Sequence, residues 1–205
     1  MLLDNLNFSL RYDLRLSVNQ RRFDVSIHGY WCAILKSNSP FVSHLVNVQP
    51  TFADFTRAEQ EINALDPVAL EKLKLMWPSC GSKSTEDLMM HQFAKHALIA
   101  ENNYKVNYFK KTLDVSTPFF LGDKDIRAFL RDNYAPGVKY NTHLVNTDID
   151  YFVGTRTKIG YASYGPLTLD SISVLHDEFD QPIHHPDRNL AHQNPRPRDM
   201  IVVRR

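Results

Sequence analysis

The stretch Leu6-NFSLRYDLRLS-Val18 decides how the chain is read. Leu6, Phe8, Leu10, Tyr12, Leu14, Leu16 and Val18 alternate with Asn7, Ser9, Arg11, Asp13, Arg15 and Ser17. Strict period two is the pattern of a half-buried β-strand, with one face on a core and one turned away. Asn19-Q-R-Arg22 reads as a turn, after which Phe23, Val25 and Ile27 alternate with Asp24, Ser26 and His28. Residues 6–36 are therefore expected to form a long β-hairpin that nucleates a sheet.

Downstream the period changes. Thr56 with Glu59 has capping-box spacing, and Asp66-Pro67 places an N-cap before a proline at the first helical position. Ser84 and Asp87 can cap the next helix, where Met89, Phe93, Ala97 and Ala100 form a stripe, and Asn102-Asn103 closes it. Tyr104, Val106 and Tyr108 alternate and predict a strand over 104–111. Asp123 is expected to cap a short helix containing Ile126, Phe129 and Leu130, stopped at Ala135-Pro136-Gly137. Residues 138–175 read as β segments. The expectation is an α+β fold: an antiparallel sheet opened by the N-terminal hairpin, helices in the middle third, and a β-rich C-terminal third with an extended tail. Residues 1–179 form one domain in this reading, and 180–205 form a Pro/His/Arg-rich arm.

Composition narrows function mainly by exclusion. Apolar residues make up 43% of 205, which suffices for a core. Twenty-four basic against 23 acidic residues give a net charge of +1 and no global attraction to nucleic acid or anionic membranes. Seven dispersed glycines contain no GxGxxG, P-loop or nucleophile elbow. The start of the chain lacks the pattern of a signal peptide, and no apolar run has bilayer-spanning length. Cys32 and Cys80 are too few for a disulfide framework. The expected location is cytoplasmic or within an intracellularly assembled particle.

Several motifs invite chemistry. His176, Glu178, His184 and His185 offer the ligand types of a divalent metal, within a segment also holding Asp177, Asp180, Asp187 and His192. The prolines in that segment argue for a loop and for a solvated or partner-bound tail, since ligands need rigid supports. Thr147-DID-Tyr151 spaces two aspartates as some metal-dependent transferases do, with an Asp-capped turn as the simpler account. Cys80 with His91 or His96 is left open as a Cys–His pair. Ser43-HLVNV and Thr142-HLVNT share a tetrapeptide, but their flanks differ, so duplication is not indicated.

Arg11-YDL-Arg15 and Cys32-AILKSNSPFV-Ser43 resemble the arginine strand and the Ser-Thr-Ser strand of the pertussis-toxin-like ADP-ribosyltransferases. The resemblance implies an NAD-dependent toxin or effector, with Arg11 on the NAD phosphates and Ser43 opening the second motif. Ser43 is followed by His44-Leu45 rather than Thr-Ser.

With no complete catalytic motif in sequence, the favoured reading is a non-enzymatic subunit or binding module of an assembly. Its arm, carrying Arg188, Arg196, Arg198, Arg204 and Arg205, would contact protein subunits, with nucleic acid as the lesser partner. Fixing such a tail costs on the order of 1–2 kcal/mol per residue, so it would need something to lie against. No cofactor is expected; NAD belongs to the ADP-ribosyltransferase alternative, and a divalent metal to a metal-dependent enzyme built on 176–192.

Overall fold

A computed structural model of the chain describes residues 8–19, 24–36, 41–79, 83–97, 108–135, 138–162, 168–186 and 200–202. The alternating stretch is strand β1 (Phe8–Asn19), and it pairs antiparallel with β2 (Asp24–Lys36). The expected hairpin is present; residues 20–22 of its turn lie outside the described residues. A short β3 (Val42–His44) follows. Helices α1 (Phe52–Asn63), α2 (Pro67–Met76), α3 (Thr85–His96), α4 (Tyr108–Phe120) and α5 (Ile126–Asn133) come next. The chain then forms β4 (Lys139–Asn141), α6 (Thr142–Val153), β5 (Lys158–Ala162), β6 (Thr168–His176), β7 (Pro182–Ile183) and β8 (Met200–Val202). The main sheet has the order β3-β2-β1-β6-β5, with β7 also on β6, and its pairings are antiparallel. Strands β4 and β8 make a separate pair, so Met200-Ile201-Val202 does add a strand.

Local chemistry explains the helix starts. Asp66 accepts from the backbone N–H groups of Val68 and Ala69, with Pro67 at the first position. Ser84 and Asp87 form the capping box that the sequence suggests. The box expected at Thr56 forms one turn earlier, between Thr51 and Asp54, and Thr56 instead donates to the Phe52 carbonyl. Asp125, not Asp123, caps α5.

Two segments read as strand are helical where described, residues 104–107 of the first lying outside the described residues. Tyr108 to Lys111 open α4, whose Phe109, Thr112, Ser116, Phe119 and Phe120 face are buried. Residues 142–153 form α6, with Asn141 as N-cap, Gly154 at φ 86° as the left-handed stop, and Val145, Ile149 and Val153 buried. That spacing of four is a helix period, and it overrides the short alternations inside the segment. The shared His-Leu-Val-Asn accordingly falls in two settings, leaving a strand at 44 and lying inside a helix at 143.

The core lies between the sheet and the helices. Tyr12, Leu14, Leu16 and Val18 of β1 and Ile27, Tyr30 and Cys32 of β2 meet Leu73, Met76, Trp77, Phe93, Phe109 and Phe120. Helices α2, α3 and α5 touch β2, and α4 touches β1. No helix among the described residues is long and apolar enough to cross a membrane.

Candidate active site

The pairing of β1 with β2 slips by one residue at one place. Arg15 faces Gly29 and Leu16 faces Ile27, which leaves His28 as the extra residue of a β-bulge. A one-residue slip exchanges the two faces of a strand beyond it. Below the bulge Val25 and Ile27 point into the core; above it Tyr30 and Cys32 do. Trp31 is thereby turned to the other face, opposite Asp13. Its indole Nε1–H donates to Oε1 of Gln92 on α3 at 2.9 Å. Gly29 makes that fold-back sterically feasible: a Cβ there would collide with Trp31 Nε1 and stand 2.9 Å from Gln92 Oε1.

Three histidines and an arginine gather on this tryptophan. His96, from the last turn of α3, stacks on it with centroids 4.6 Å apart and planes 21° apart. His28 and His44 stand nearly perpendicular to it, at 5.4 and 5.0 Å. The Arg15 guanidinium lies 5.0 Å over the ring. His28 Nδ1 shares a hydrogen bond with Ser17 Oγ at 3.1 Å, and His44 Nε2 meets Asp13 Oδ2 at 2.7 Å. The loop after β3 is tied to α3 by the Asn47 N–H on the Lys95 carbonyl, 2.7 Å, and by Asn47 Nδ2 on the Ala94 carbonyl, 3.2 Å.

The electrostatics divide the imidazoles. Burial pushes His96 down to about 4; the Leu45 backbone opposes it, and Lys95, His44 and His28 add repulsion in the same direction as burial. Its buried Nδ1 has no hydrogen-bond partner among the described residues. His28 is lowered by burial and then by Arg15, with Asp170 pulling the other way. His91, one turn before Lys95, is lowered by burial, Lys83 and Lys95. Two imidazoles poised differently, with Lys95 and Arg15 in electrostatic reach, can take a proton, give one, and stabilise an anion formed between.

The candidates read from sequence lie elsewhere. Arg11 is on β1 and Ser43 is exposed on β3, with β2 between them. β1 runs directly into an antiparallel partner without the helix that follows the arginine strand in ADP-ribosyltransferases, so that resemblance does not extend to the fold. His176 is buried beside Tyr30, and Glu178 is exposed on the turn after β6. His184 Nδ1 accepts from the Arg156 N–H, and His185 is buried with its own N–H on the Arg156 carbonyl. The hairpin of β6 with β7 keeps these side chains apart, and no group of three or more metal-ligating residues exists among the described residues. Asp148 and Asp150 are structural: Asp148 accepts from Tyr134 Oη, and Asp150 from the N–H and hydroxyl of Thr157. Cys80, Arg188, Arg196, Arg198, Arg204 and Arg205 lie outside the described residues.

No protein-family model matches the sequence, and no curated protein matches it. Solved structures do match the fold. A Nicotiana alata gametophytic self-incompatibility associated SF11-RNase aligns over 96% of this chain and 100% of its own, with TM-score 0.61 and 17% identity. Ribonuclease MC1 from bitter gourd seeds aligns over 86% and 93%, with TM-score 0.59 and 14% identity. Human RNase T2 aligns over 87% and 98%, with TM-score 0.56 and 15% identity. These proteins are ribonucleases. The expectation of a non-enzymatic assembly subunit with protein partners is therefore corrected: the fold is one that enzymes acting on RNA use. The sequence-based expectation failed because it sought a contiguous motif, whereas this site joins three strands to one helix. The signals present in the chain were His28-Gly-Tyr-Trp31 and His91-QFA-Lys95-His96, with 59 residues between them.

Proposed function

We propose that the protein is a ribonuclease that cleaves single-stranded RNA by transesterification. The observation that carries this reading is the placement of His28, on the β2 bulge, and His96, from α3, around one tryptophan. His96, neutral above about pH 4, takes the proton of a ribose 2′-OH. The 2′ oxygen attacks the adjacent phosphorus, and the bond to the 5′ oxygen breaks. His28 gives that leaving oxygen a proton, so the products are a 2′,3′-cyclic phosphate and a free 5′-OH. Lys95 and Arg15 stabilise the extra negative charge on the phosphoryl oxygens during the exchange. Val48 and Phe52, 82% and 87% exposed, flank the loop pinned to α3 and give bases an apolar surface. The fold likeness to ribonucleases supports the substrate class, as do the 5′-GMP and 5′-UMP complexes of ribonuclease MC1 variants.

The test is cleavage of a labelled RNA and a DNA of the same sequence, in chelator, between pH 4 and 7. RNA should be cut to cyclic-phosphate ends and DNA left whole, because DNA lacks the nucleophile. His28→Ala and His96→Ala should each lower kcat/KM by about 10²–10⁴-fold. Intact RNA with the wild-type protein, or full activity in His28→Ala/His96→Ala, ends the reading.

A further inference from the structure

Asp13 and His44 have no part in the proton transfers above, yet they join the same tryptophan. Asp13 is 1% exposed at its side chain, and its Oδ2 holds His44 Nε2 at 2.7 Å. Its other oxygen is buried without a hydrogen-bond partner among the described residues. A buried carboxylate satisfied on one side is a poor stabiliser, since taking it out of water costs more than one partner returns. An apolar pair of similar size would serve the fold as well or better. The pair also spans the sheet: Asp13 is on β1, His44 on β3, and Trp31 lies on β2 between them.

We infer that Asp13 and His44 are a positioning pair for His96, acting through Trp31. Asp13 fixes the His44 ring, His44 stands 84° to the indole at 5.0 Å, and the indole sets the plane on which His96 stacks. Gln92 ties the indole to α3, the helix that also carries His96; the Asp13–His44 pair ties it to the sheet. With both ties the indole has one orientation, and the imidazole stacked on it has one plane. The catalytic consequence rests on the RNA-cleaving reading; the geometric one does not.

The experiment compares the full-length wild-type chain with Asp13→Leu/His44→Leu and with His44→Gln, whose amide can still donate to Asp13. The quantities measured are the melting temperature, the NMR shifts of the His96 ring protons, and kcat and KM on RNA. Stacking on Trp31 moves those protons upfield through the indole ring current, so their resonance positions report the stack directly. The double variant should melt at or above the wild-type temperature and lose most of the upfield displacement. Its kcat should fall by about tenfold to a hundredfold with KM little changed, because misplacing a reacting group by about an ångström costs on that order. His44→Gln should recover part of the upfield displacement and of kcat. Unchanged ring-proton resonances in the double variant overturn the inference, and so does a large drop in melting temperature, which would make the pair a structural one. Should the wild-type chain leave RNA intact while the double variant still loses the upfield displacement, the RNA-cleaving reading falls and the positioning role stands.

Discussion

Trp31 Nε1 and Gln92 Oε1 are joined at 2.9 Å across 61 positions of sequence, and this bond fastens the sheet to the helix that carries Lys95 and His96. Gln92→Ala should leave a buried indole N–H without an acceptor, at a cost of about 1–3 kcal/mol. RNA cleavage should fall with it, because His96 loses its reference plane. Gln92→Glu keeps an acceptor in place and adds negative charge near His96 and His28. That charge should raise both imidazoles and move the whole pH profile of kcat/KM upward. Denaturant melts and pH–rate profiles check both variants.

Gly29→Ala should be the most damaging single methyl in the site. The added carbon collides with Trp31 Nε1 and crowds Gln92 Oε1, so the indole must leave α3. Overpacking of this kind costs about 1–3 kcal/mol. The expected result is a folded, less stable protein with greatly reduced activity and altered tryptophan fluorescence. Full activity in Gly29→Ala would show that the fold-back of Trp31 is dispensable.

Activity should have an acidic optimum. His96, the proposed base, is neutral only above about 4. His28, the proposed acid, is protonated only below a value that burial and Arg15 hold under 6.5. If the two roles are as proposed, kcat/KM should follow a bell whose limbs lie within this window. A maximum at pH 8 would contradict the assignment of the two roles.

Stability should decline as pH falls from 6.5 toward 4. His96 titrates near 4 in the fold and near 6.5 once unfolded. Between those values the unfolded chain binds the extra proton, so acid favours unfolding; above 6.5 the contribution is constant. The loss across the window should be on the order of 2 kcal/mol, because each pH unit in it is worth at most about 1.4 kcal/mol and partial solvent access reduces the total. His28 and His176, also lowered by burial, add slope in the same direction. Urea unfolding of the wild type and His96→Phe at pH 7, 5.5 and 4.5 isolates the His96 share. The variant should show the shallower dependence.

Where a structural signal is local, it was legible. The β1 alternation sent Tyr12, Leu14 and Leu16 to the core and left Arg11, Asp13 and Arg15 on the opposite face. Asp66-Pro67 and Ser84 with Asp87 marked helix starts, because capping is chemistry between residues two or three apart. Residues 142–153 misled because short alternations compete with the four-residue spacing of Val145, Ile149 and Val153. Only packing against the core decides which period is used.

The chain by itself determined the long hairpin, the middle helices and the α+β class, since each follows from side-chain periodicity and end-capping within a few residues. It did not determine the site. The bulge at His28 exists only in the register of β2 against β1, and that register turns Trp31 off the core face. The approach of His96 to that tryptophan depends on α3 docking against β2. His44 and Asp13 meet because β1, β2 and β3 are neighbours in the sheet. The bulge is a matter of register, which strand periodicity does not fix, and the other two are pairings across more than 30 positions, set by burial of the common core.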